Sequence, residues 1–561
     1  MRKAGPASLG VLLAIALGAC APAEPQLDRS ADSAPTSPAA SAIERGAEER
    51  PPAGAQLSPT ATRIQSPTTT PTAGPLPGAT VTWPPSNLPL SRDGPWLLGY
   101  ADPPEAPGEL RALNADGGGL TRYSDYNFRH PSVDLRDGIS DRHGMIGMRS
   151  VSCGITECDY ILHLFRMPDH EPILEIKMLT PGLAWEAGQG TMADALAANP
   201  PLMAVGREAE EPALLWSRDG RYLAFVGAID GPSADVYAYD RLTSAVQRLT
   251  DGPGQPVLMG WSPDSRWVVH MEAEFVYGER GSEYEPVAVW AADVQGGPAS
   301  YLYASRGDLG DSEEIVGWRS ESEFVAAERD PLGRTGRLAL VNAQTGAFQV
   351  LYAGEVSSAA VDPASGTMAF VPYDPSFFPL QADPSLGGPI AAQWTDAAGT
   401  LTEGGIYLLR RGSVTPERLA YEEWFTAYED LTWIPEVERF FGAWSLTVSF
   451  TAEGELDRVF PERDVPIASP DGKWLVFRRP PHVPGIAVYT PDGDLAYEFE
   501  GMTVSDIVWK RDSTGVYLYS PEAGLRFFSP SQLSYETLVA APAIIGGSLR
   551  LIHPDAGGFS N

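Results

Sequence analysis

The sequence has few cysteines, and it lacks the motifs of several common enzyme classes. It holds three cysteines in 561 residues, and no second pair of Cys or His residues stands at the spacing of a zinc site. No Gly-x-Ser-x-Gly elbow, His-Glu-x-x-His motif, glycine-rich phosphate loop or dinucleotide fingerprint occurs. We therefore expect no cofactor and no metal, and the absent motifs favour a non-catalytic protein over an enzyme.

Positive charge is also scarce. The chain has 40 Lys and Arg residues against 73 Asp and Glu, which gives a formal net charge of −33. Because phosphate groups would be repelled, this charge argues against nucleic acid or an anionic membrane face as a partner. An acidic surface instead suits a secreted protein that stays soluble. Downstream of residue 20 the sequence contains no apolar run of transmembrane length.

The first 20 residues have the pattern of a targeting segment. Arg2 and Lys3 form a positive start, and the apolar run at 9–17 is too short to span a bilayer. The segment ends in Leu-Gly-Ala-Cys at 17–20, which resembles the bacterial lipobox. That resemblance implies lipidation of Cys20 and an extracytoplasmic protein anchored by lipid to the bacterial membrane. An ordinary secretory signal with a chance cysteine is the alternative.

Residues 21–94 are rich in Ala, Pro, Ser and Thr, as in Thr-Thr-Thr-Pro-Thr at 68–72. Such a composition offers too little apolar surface to offset the entropy lost on ordering. We predict a disordered tether here, and the sequence leaves open whether it carries O-linked sugar.

A short pattern returns along the rest of the chain: an apolar strand often ending in Trp, a polar turn, then an alternating strand. Its copies begin at positions 216, 261, 318, 361, 433, 468 and 509, so that successive copies are 35 to 72 residues apart. Recurrence of strands and turns every ~40–50 residues indicates a β-propeller. One four-stranded blade cannot bury both of its faces alone, so neighbouring blades must stack around a ring.

The copy Ser469-Pro470-Asp471-Gly472-Lys473-Trp474 resembles the Trp-Ser-Pro-Asp-Gly-Lys repeat of the TolB-like (PD40, WD40-like) propellers. Pro fixes φ and Gly tolerates positive φ, which sets the turn between the first two strands. The resemblance implies a fold rather than an activity, because these repeats are structural. Each repeat carboxylate belongs to a different blade, so we interpret these groups as turn-forming rather than catalytic. They are Asp219, Asp264, Asp471 and Asp512.

We predict an all-β fold with a single propeller over residues 95–561, built from about eight four-stranded blades, with a range of seven to nine. The first blade has strand-like segments at 96–100, 109–113 and 120–123, and residues 549–555 would supply its missing first strand. Pairing the two ends in one blade would close the ring.

A second blade without the motif covers residues 141–180 and contains the hairpin segment from Cys153 to Cys158. In an oxidising compartment these two cysteines could form a disulfide. Closing so small a loop removes little unfolded-state entropy.

The long irregular segments predict which face of the ring binds. Connections between second and third strands, and between blades, lie on one face, whereas the Pro-Asp turns lie on the other. The predicted insertions, at 181–211, 273–286, 371–403 and 421–430, all fall on the first face, and loops on a rigid scaffold often bind. Their aromatic residues either contact a ligand or fold inward and cap the ring. The candidate binding residues are Trp185, Tyr277, Tyr284, Tyr373, Phe377, Trp394, Trp424 and Tyr428.

Two functions fit this sequence. The first is a non-catalytic extracytoplasmic lipoprotein, a scaffold at the cell envelope that binds an envelope protein or glycan through the insertion-rich face and touches the membrane only through its lipid. The second is a propeller-type glycan hydrolase or lyase that uses carboxylates at the axial funnel. The absent motifs favour the first, and the carboxylates leave the second open. The acidic loop at 308–314 lacks the alternating form of a Ca²⁺ loop and is better explained as solvated.

Overall fold

The computed structural model describes residues 89–553 with internal gaps, and all of them belong to one compact unit, Gln65–Asn561. The gaps are 102–108, 125–137, 141–142, 154–157, 179–213, 228, 230–233, 253–254, 279–280, 306–311, 330–334, 355, 373–404, 420–429, 444–445, 481 and 541–548. The predicted signal segment, with Cys20, and nearly all of the predicted tether lie outside the described residues, so both remain predictions.

The described residues form 36 strands and no helix. Strands of the first three blades are β1 Trp96–Ala101, β2 Glu109–Asn114, β3 Thr121–Ser124, β4 Ile139–Ser140, β5 Met145–Cys153, β6 Cys158–Arg166, β7 Glu171–Met178, β8 Leu214–Trp216, β9 Tyr222–Gly227, β10 Asp235–Asp240 and β11 Ala245–Arg248. Strands of the next three blades are β12 Gln255–Trp261, β13 Trp267–Gly278, β14 Gly281–Asp293, β15 Ser300–Ala304, β16 Ser312–Trp318, β17 Glu323–Arg329, β18 Thr335–Asn342, β19 Phe348–Tyr352, β20 Val356–Val361, β21 Met368–Pro372, β22 Tyr407–Leu409 and β23 Glu417–Arg418. Strands of the last three blades are β24 Asp430–Ile434, β25 Arg439–Ala443, β26 Thr447–Phe450, β27 Leu456–Phe460, β28 Ile467–Ala468, β29 Leu475–Arg478, β30 Gly485–Tyr489, β31 Leu495–Glu500, β32 Asp506–Trp509, β33 Val516–Ser520, β34 Gly524–Ser529 and β35 Ser534–Val539. The last strand, β36 Arg550–Ile552, belongs to the first blade.

These strands make nine antiparallel blades of four strands each. Eight blades use four consecutive strands in order, from β4–β7 to β32–β35. The fifth and sixth blades are joined into one sheet by a single backbone pair, Thr335 opposite Val356. First strands of neighbouring blades contact one another, as β8 does β12 and β16 does β20, so they line the centre of the ring.

The first blade takes strands from both ends of the chain. β36 pairs with β1 through Trp96 opposite Ile552, Leu97 opposite Leu551 and Leu98 opposite Arg550, and β2 and β3 complete the sheet. The predicted closure by residues 549–555 is therefore confirmed. An apolar cluster that includes Leu97, Tyr517 and Leu549 packs the ninth blade against the first.

The core is divided into nine apolar clusters, one between each pair of neighbouring blades. Between the third and fourth blades, for example, Ala224 and Val236 pack against Val268. A blade exposes two apolar faces, and each face is buried only by a neighbour. Together with the terminal strand pairing, the nine clusters show that the chain is a nine-bladed β-propeller.

The motif tryptophans tie the innermost strands together. The indole N–H of Trp261 donates to Leu215 O on the preceding blade at 2.8 Å, and Trp216 and Trp509 donate in the same way to Gly138 O at 2.7 Å and Ile467 O at 3.1 Å. Tryptophan suits this position because its ring fills the apolar seam while its one N–H satisfies a carbonyl.

Nine blades lie at the upper end of the predicted range of seven to nine. The predicted number of about eight blades was one too low. Each of the nine blades has four strands. Three of them contain a strand of only two residues, β4, β23 or β28, and so short a strand leaves almost no alternation to recognise. Within the described residues no helix has the length and apolar character needed to cross a membrane.

Candidate binding face

The turns that join first to second and third to fourth strands lie together on one side of the ring, which we call the turn face. Its repeat carboxylates form the turns themselves. Ser217 Oγ donates to Asp219 Oδ1 at 2.6 Å, and the same oxygen accepts the backbone N–H of Arg221 at 3.0 Å. Asp264, Asp471 and Asp512 likewise accept a backbone N–H two residues on. The interpretation of these four carboxylates as turn-forming groups is confirmed.

Other polar groups of the turn face bind the blades to one another or close a blade. The backbone N–H of Asp219 donates to Ser265 Oγ on the next blade at 3.2 Å, and that of Asp471 to Ser513 Oγ at 2.9 Å. Arg221 donates two hydrogen bonds to the Asp240 carboxylate, from Nε at 3.2 Å and from Nη2 at 2.8 Å. These groups are thus engaged in holding the fold.

Ionisation at the turn face follows from the same contacts. Burial disfavours the charged form of Asp471, but hydrogen bonds from Lys473 and Ser469 outweigh it and lower the pKa of Asp471 to about 2. The carboxylate is therefore ionised at any physiological pH and is satisfied within its own turn.

The opposite side, which we call the loop face, carries the connections from second to third strands and from each blade to the next. The connections β7–β8, β21–β22 and β23–β24 leave from it, and they contain the predicted insertions at 181–211, 371–403 and 421–430, except for residues 371–372, which end β21, and residue 430, which begins β24. Strand order thus assigns these three connections to one face, as predicted. Six of the candidate aromatic residues lie in them, outside the described residues: Trp185, Tyr373, Phe377, Trp394, Trp424 and Tyr428.

The fourth predicted insertion, 273–286, is not irregular. It is the paired end of the β13–β14 hairpin, with Phe275 opposite Tyr284 and Tyr277 opposite Ser282. The expectation of a loop was wrong because the alternating residues of this segment extend both strands. The segment still lies on the loop face, and the backbone positions of Tyr277 and Tyr284 are now fixed on strands.

This hairpin end, residues 273–286, forms a ribbon that rises from the fourth blade. β12 pairs with β13 only as far as Gln255 opposite Ala273, and β15 pairs with β14 only as far as Ala304 opposite Ala288. From Ala273 to Gly278 the strand runs five residues further, about 17 Å at 3.3–3.4 Å per residue. Among the described residues the ribbon has no third strand, so both of its backbone edges are open there.

The hairpin of the second blade is also long. β5 and β6 pair without a register shift from Met145 opposite Arg166 to Cys153 opposite Cys158. β4 pairs only with the base of β5, at Met145 and Ile146. The two cysteines therefore lie opposite each other at the loop-face end of this hairpin, and their predicted disulfide remains a prediction at this point.

A buried carboxylate lies at the loop-face end of the third blade. Asp235 is only 1% exposed and begins β10; Arg248 Nη2 donates to it at 2.6 Å, Thr250 Oγ1 at 3.1 Å and the backbone N–H of Gly252 at 3.3 Å. Burial raises the pKa of Asp235 to about 6. The charge of Arg248 and these hydrogen bonds lower the pKa, but burial has the larger effect. The contacts of Asp235 order the connection to the next blade.

A second polar cluster joins the seventh and eighth blades. Glu462 is buried, and its Oε1 accepts the Tyr489 hydroxyl at 3.1 Å and Arg479 Nη2 at 3.3 Å, while Arg479 Nη1 also binds Glu498. Thr447 Oγ1 donates to Glu462 O at 3.0 Å. Burial, and then the charge of Glu462, raise the pKa of Tyr489 to about 12. All of these groups are satisfied by one another, which indicates a structural role.

Sequence reasoning missed both of these clusters. Asp235 and Arg248 are separated along the chain and meet only because β10 begins where β11 ends. A signal was available in principle: an Asp at the first position of a predicted third strand, with an Arg at the end of the fourth. No pattern in the sequence distinguishes Glu462 from the other acidic residues of the connections.

The innermost strands bear on the hydrolase or lyase alternative. Their described carboxylates with described side chains are Glu314, Asp430 and Asp506, on the fifth, seventh and ninth blades. Among the described residues, no three His, Cys, Asp or Glu side chains form a group that could hold a metal ion. The described part of the funnel thus gives no specific support to carboxylate chemistry. Of the acidic loop at 308–314, the last three residues belong to β16 and the rest lie outside the described residues.

No protein-family model matches this sequence, and no curated protein does. Solved structures with a similar fold include TolB from Acinetobacter baumannii, with 11% identity, a TM-score of 0.25 and coverage of 64% of this chain and 80% of that one. The C-terminal WD40 domain of Sif2 has 11% identity, a TM-score of 0.33 and coverage of 65% and 89%. An oligogalacturonate lyase in complex with manganese has 16% identity, a TM-score of 0.31 and coverage of 54% and 84%. The propeller fold that the sequence resemblance implied is confirmed by the nine blades of this chain and by their closure.

Proposed function

We propose that this protein is a non-catalytic scaffold that binds an envelope protein through its loop face. The observation that carries this proposal is the ribbon at 273–286, which extends about 17 Å past β12 and β15 and has no further strand on either edge among the described residues. A protein segment can add to such an edge as a further strand and take its specificity from alternate side chains. This feature favours a protein over a glycan, because strand addition requires a peptide backbone.

The charge of the ribbon defines its partner further. It carries Glu274, Glu279, Glu283 and Glu285 against the single cation Arg280. The whole chain is acidic as well, with a net charge of −33. A neutral or basic partner segment would therefore associate faster than an acidic one, with a rate that falls as salt is added.

In this proposal the turn face stabilises the fold and the loop face binds the partner. Turn-face carboxylates, hydroxyls and guanidinium groups bind one another, as Arg221 and Asp240 do. The long connections leave from the loop face, and both long hairpins end on it. A rigid ring that presents variable segments on one side is the usual arrangement of a binding protein.

Alanine substitutions on both faces test the proposal after a partner has been captured from an envelope extract. Replacing a central interfacial Trp or Tyr commonly costs ~2 kcal/mol or more, about thirtyfold in affinity. We expect Trp394→Ala, Trp424→Ala and Tyr277→Ala to weaken binding by this amount without unfolding the ring. The matched control is Lys473→Ala, whose side chain is 74% exposed on the turn face. Arg221 is a poorer control, because its side chain is only 40% exposed and donates two hydrogen bonds to Asp240. A larger loss of affinity from Lys473→Ala than from the loop-face variants would reverse the assignment of the faces.

We further propose that the propeller is held outside the cytoplasmic membrane by a lipid on Cys20 and by the tether at 21–94. The charged start, the apolar run and the Leu-Gly-Ala-Cys end support this localisation. Fractionation of cells that express Cys20→Ser should find the protein released from the membrane, whereas Cys158→Ser should stay membrane-bound. Equal membrane retention of wild type and Cys20→Ser would contradict the anchor.

A further inference from the structure

We infer that Cys153 and Cys158 form a disulfide that clasps the end of the β5–β6 hairpin, and that this clasp acts on the hairpin alone. The inference does not depend on the proposed function. It rests on the register of the hairpin and on two backbone hydrogen bonds near its base, which together identify the kind of pair that the cysteines make.

The register of the β5–β6 hairpin is continuous. Positions that face each other in this hairpin run without a shift from Met145 and Arg166 to Cys153 and Cys158. The two cysteines are therefore directly opposite, at the last paired position before the connection at 154–157.

The hydrogen bonds between β5 and β6 alternate along the hairpin. The backbone N–H of Met167 donates to Gly144 O at 2.8 Å, which makes Gly144 and Met167 a hydrogen-bonded pair. Hydrogen-bonded and non-hydrogen-bonded pairs alternate along an antiparallel ladder. Cys153 lies nine positions after Gly144, an odd number, so Cys153 and Cys158 occupy a non-hydrogen-bonded position.

An independent bond supports this assignment. The backbone N–H of Gly147 donates at 2.7 Å to Gly138 O, on the other side of β5. In a middle strand, alternate residues direct their backbone groups to opposite neighbours. Gly147 and Cys153 are an even number of positions apart, so Cys153 also directs its backbone groups away from β6.

The distance between the two chains at a non-hydrogen-bonded pair suits a disulfide. Non-hydrogen-bonded pairs bring their Cα atoms to about 4.5 Å, closer than the roughly 5.5 Å of hydrogen-bonded pairs. A disulfide requires Cα atoms about 4.4–6.8 Å apart and Cβ atoms about 3.5–4.5 Å apart. Only the closer kind of pair brings Cβ atoms toward that range without movement of the backbone.

The chemistry is ordinary thiol–disulfide exchange with a disulfide oxidant such as oxidised glutathione. One cysteine loses its proton, and the thiolate attacks the oxidant and releases one glutathione thiolate. The second cysteine, also deprotonated, attacks the mixed disulfide, forms the Cys153–Cys158 bond and releases the other. The protein gives up two electrons and two protons, and the oxidant becomes two thiols.

The effect should be local because the closed loop is short. Loop-closure entropy is small for a loop of six residues, and in a chain of this size it corresponds to a shift of about 2 °C in the melting temperature. At the hairpin end the same constraint acts on few residues. Backbone amides there, at Ser152 and Asp159, should exchange roughly tenfold or more faster after reduction. Amides at Ile146 and Phe165, a pair at the base, should be unaffected.

Peptide mass spectrometry of the full-length protein, held in a buffer of oxidised and reduced glutathione, tests the clasp. Cleavage after Arg149 and Arg166 releases one peptide, 150–166, that contains both cysteines. We expect this peptide to be two hydrogens lighter than its reduced form. Reduction should leave the melting temperature almost unchanged and should accelerate exchange only at the hairpin end.

A register variant is the matched control. In Ser152→Cys/Cys153→Ser the number of thiols is unchanged, but position 152 is opposite Asp159 in a hydrogen-bonded pair, one position out of register with Cys158. We expect this variant to keep two free thiols in the same buffer. The inference fails if the wild type keeps both thiols, if either cysteine is found bound to Cys20, or if the variant bridges as readily as the wild type.

Discussion

At the scale of single residues, the repeat of this propeller encodes contacts between blades as well as turns within them. The indole of Trp216 donates to the preceding blade, and the backbone N–H of Asp219 in the same copy donates to Ser265 on the next blade. One copy of the motif thus contacts the blades on both of its sides. The indole contact explains why Trp recurs, and the bond from the backbone to the carboxylate within the turn explains why Asp recurs.

The Trp contact leads to a prediction about Trp261. Its indole N–H donates at 2.8 Å to Leu215 O, in a seam where Trp261 is buried. Trp261→Phe keeps an aromatic ring but leaves that carbonyl without its donor. We expect a loss of about 1–3 kcal/mol in the free energy of unfolding, measured by denaturant titration.

Trp318→Phe is the matched control for this substitution. Trp318 occupies the same motif position in the fifth blade, but its indole N–H makes no hydrogen bond among the described residues. Its replacement should cost only the smaller volume of the ring. If Trp318→Phe destabilised the protein as much as Trp261→Phe, the hydrogen bond would not be the reason for Trp at this position.

A second residue-scale prediction concerns His270, which is fully buried in β13. Burial lowers its pKa from 6.5 to about 4. Between these values the unfolded chain binds a proton that the folded chain does not. The stability that neutral His270 contributes is therefore complete above pH 6.5 and is lost progressively as the pH falls toward 4.

The variant His270→Leu isolates this contribution. His163, whose pKa burial also lowers to about 4, and Asp235, whose pKa burial raises to about 6, are present in both proteins. Their effects cancel in the difference between wild type and variant. We expect the wild type to lose about 2 kcal/mol relative to His270→Leu between pH 7.5 and pH 5, by denaturant titration at each pH. A difference that stayed constant over this range would contradict a depressed pKa at His270.

At the scale of elements, the innermost strands of the fourth and fifth blades share an irregularity. Gly260 and Gly317 each precede a motif Trp, and the register of the strand shifts at each. A Cβ atom at Gly317 would lie 2.8 Å from Val361 Cβ on the next blade. A Cβ atom at Gly260 would meet only the end of the Ile315 side chain, at 3.1 Å.

These distances predict different costs for the same substitution. Val361 Cβ is attached directly to the backbone and cannot move without its strand, so Gly317→Ala should destabilise the protein by about 1–3 kcal/mol. Ile315 Cδ1 can rotate away, so Gly260→Ala should cost less than about 1 kcal/mol. Thermal unfolding of the two variants in parallel measures the difference. Equal stability of the two would show that the blades adjust more freely than their close packing indicates.

The elements that sequence reasoning found and missed differ in a physical way. Second and third strands such as β9 and β10 are six residues long and buried between two neighbours, and their nearly continuous apolar runs made them recognisable. First and fourth strands shrink to two residues in β4, β23 and β28, too short for any period. The ribbon was predicted as a loop because it lies outside the repeat, although its alternation was already that of a strand.

The candidate site was predictable only in part, for a related reason. Which face carries the long connections follows from strand order alone, so counting strands was sufficient. The contacts of Asp235 with Arg248, or of Glu462 with Arg479, depend on register and on the approach of two blades. Those quantities are set by tertiary packing, which a single sequence does not display.

At the scale of the whole molecule, the ring has no terminal blade. The nine apolar clusters include one between the ninth blade and the first, and β36 seals that seam from the inner side. Leu549 and Leu551 are buried in that seam, and Ile552 is buried in the seam between the first and second blades. A linear array of blades would instead expose an apolar face and an open strand edge at each end. Closure therefore makes every blade depend on the last residues of the propeller.

Two truncations separate the closing strand from the residues that follow it. Removing 549–561 deletes β36 and three buried apolar side chains, each worth about 1.5–3 kcal/mol, and frees the edge of β1. For a chain of this size we expect the melting temperature to fall by roughly 5–10 °C, with self-association through the exposed edge. Removing only 554–561 leaves β36 in place and should change the melting temperature little.

Leu551→Asp, which places a charge opposite Leu97, should behave like the longer truncation. Identical melting of the two truncated proteins would mean that β36 contributes nothing to closure. The apolar clusters of the other eight seams, and the remaining contacts between the ninth and first blades, would then be sufficient to hold the ring.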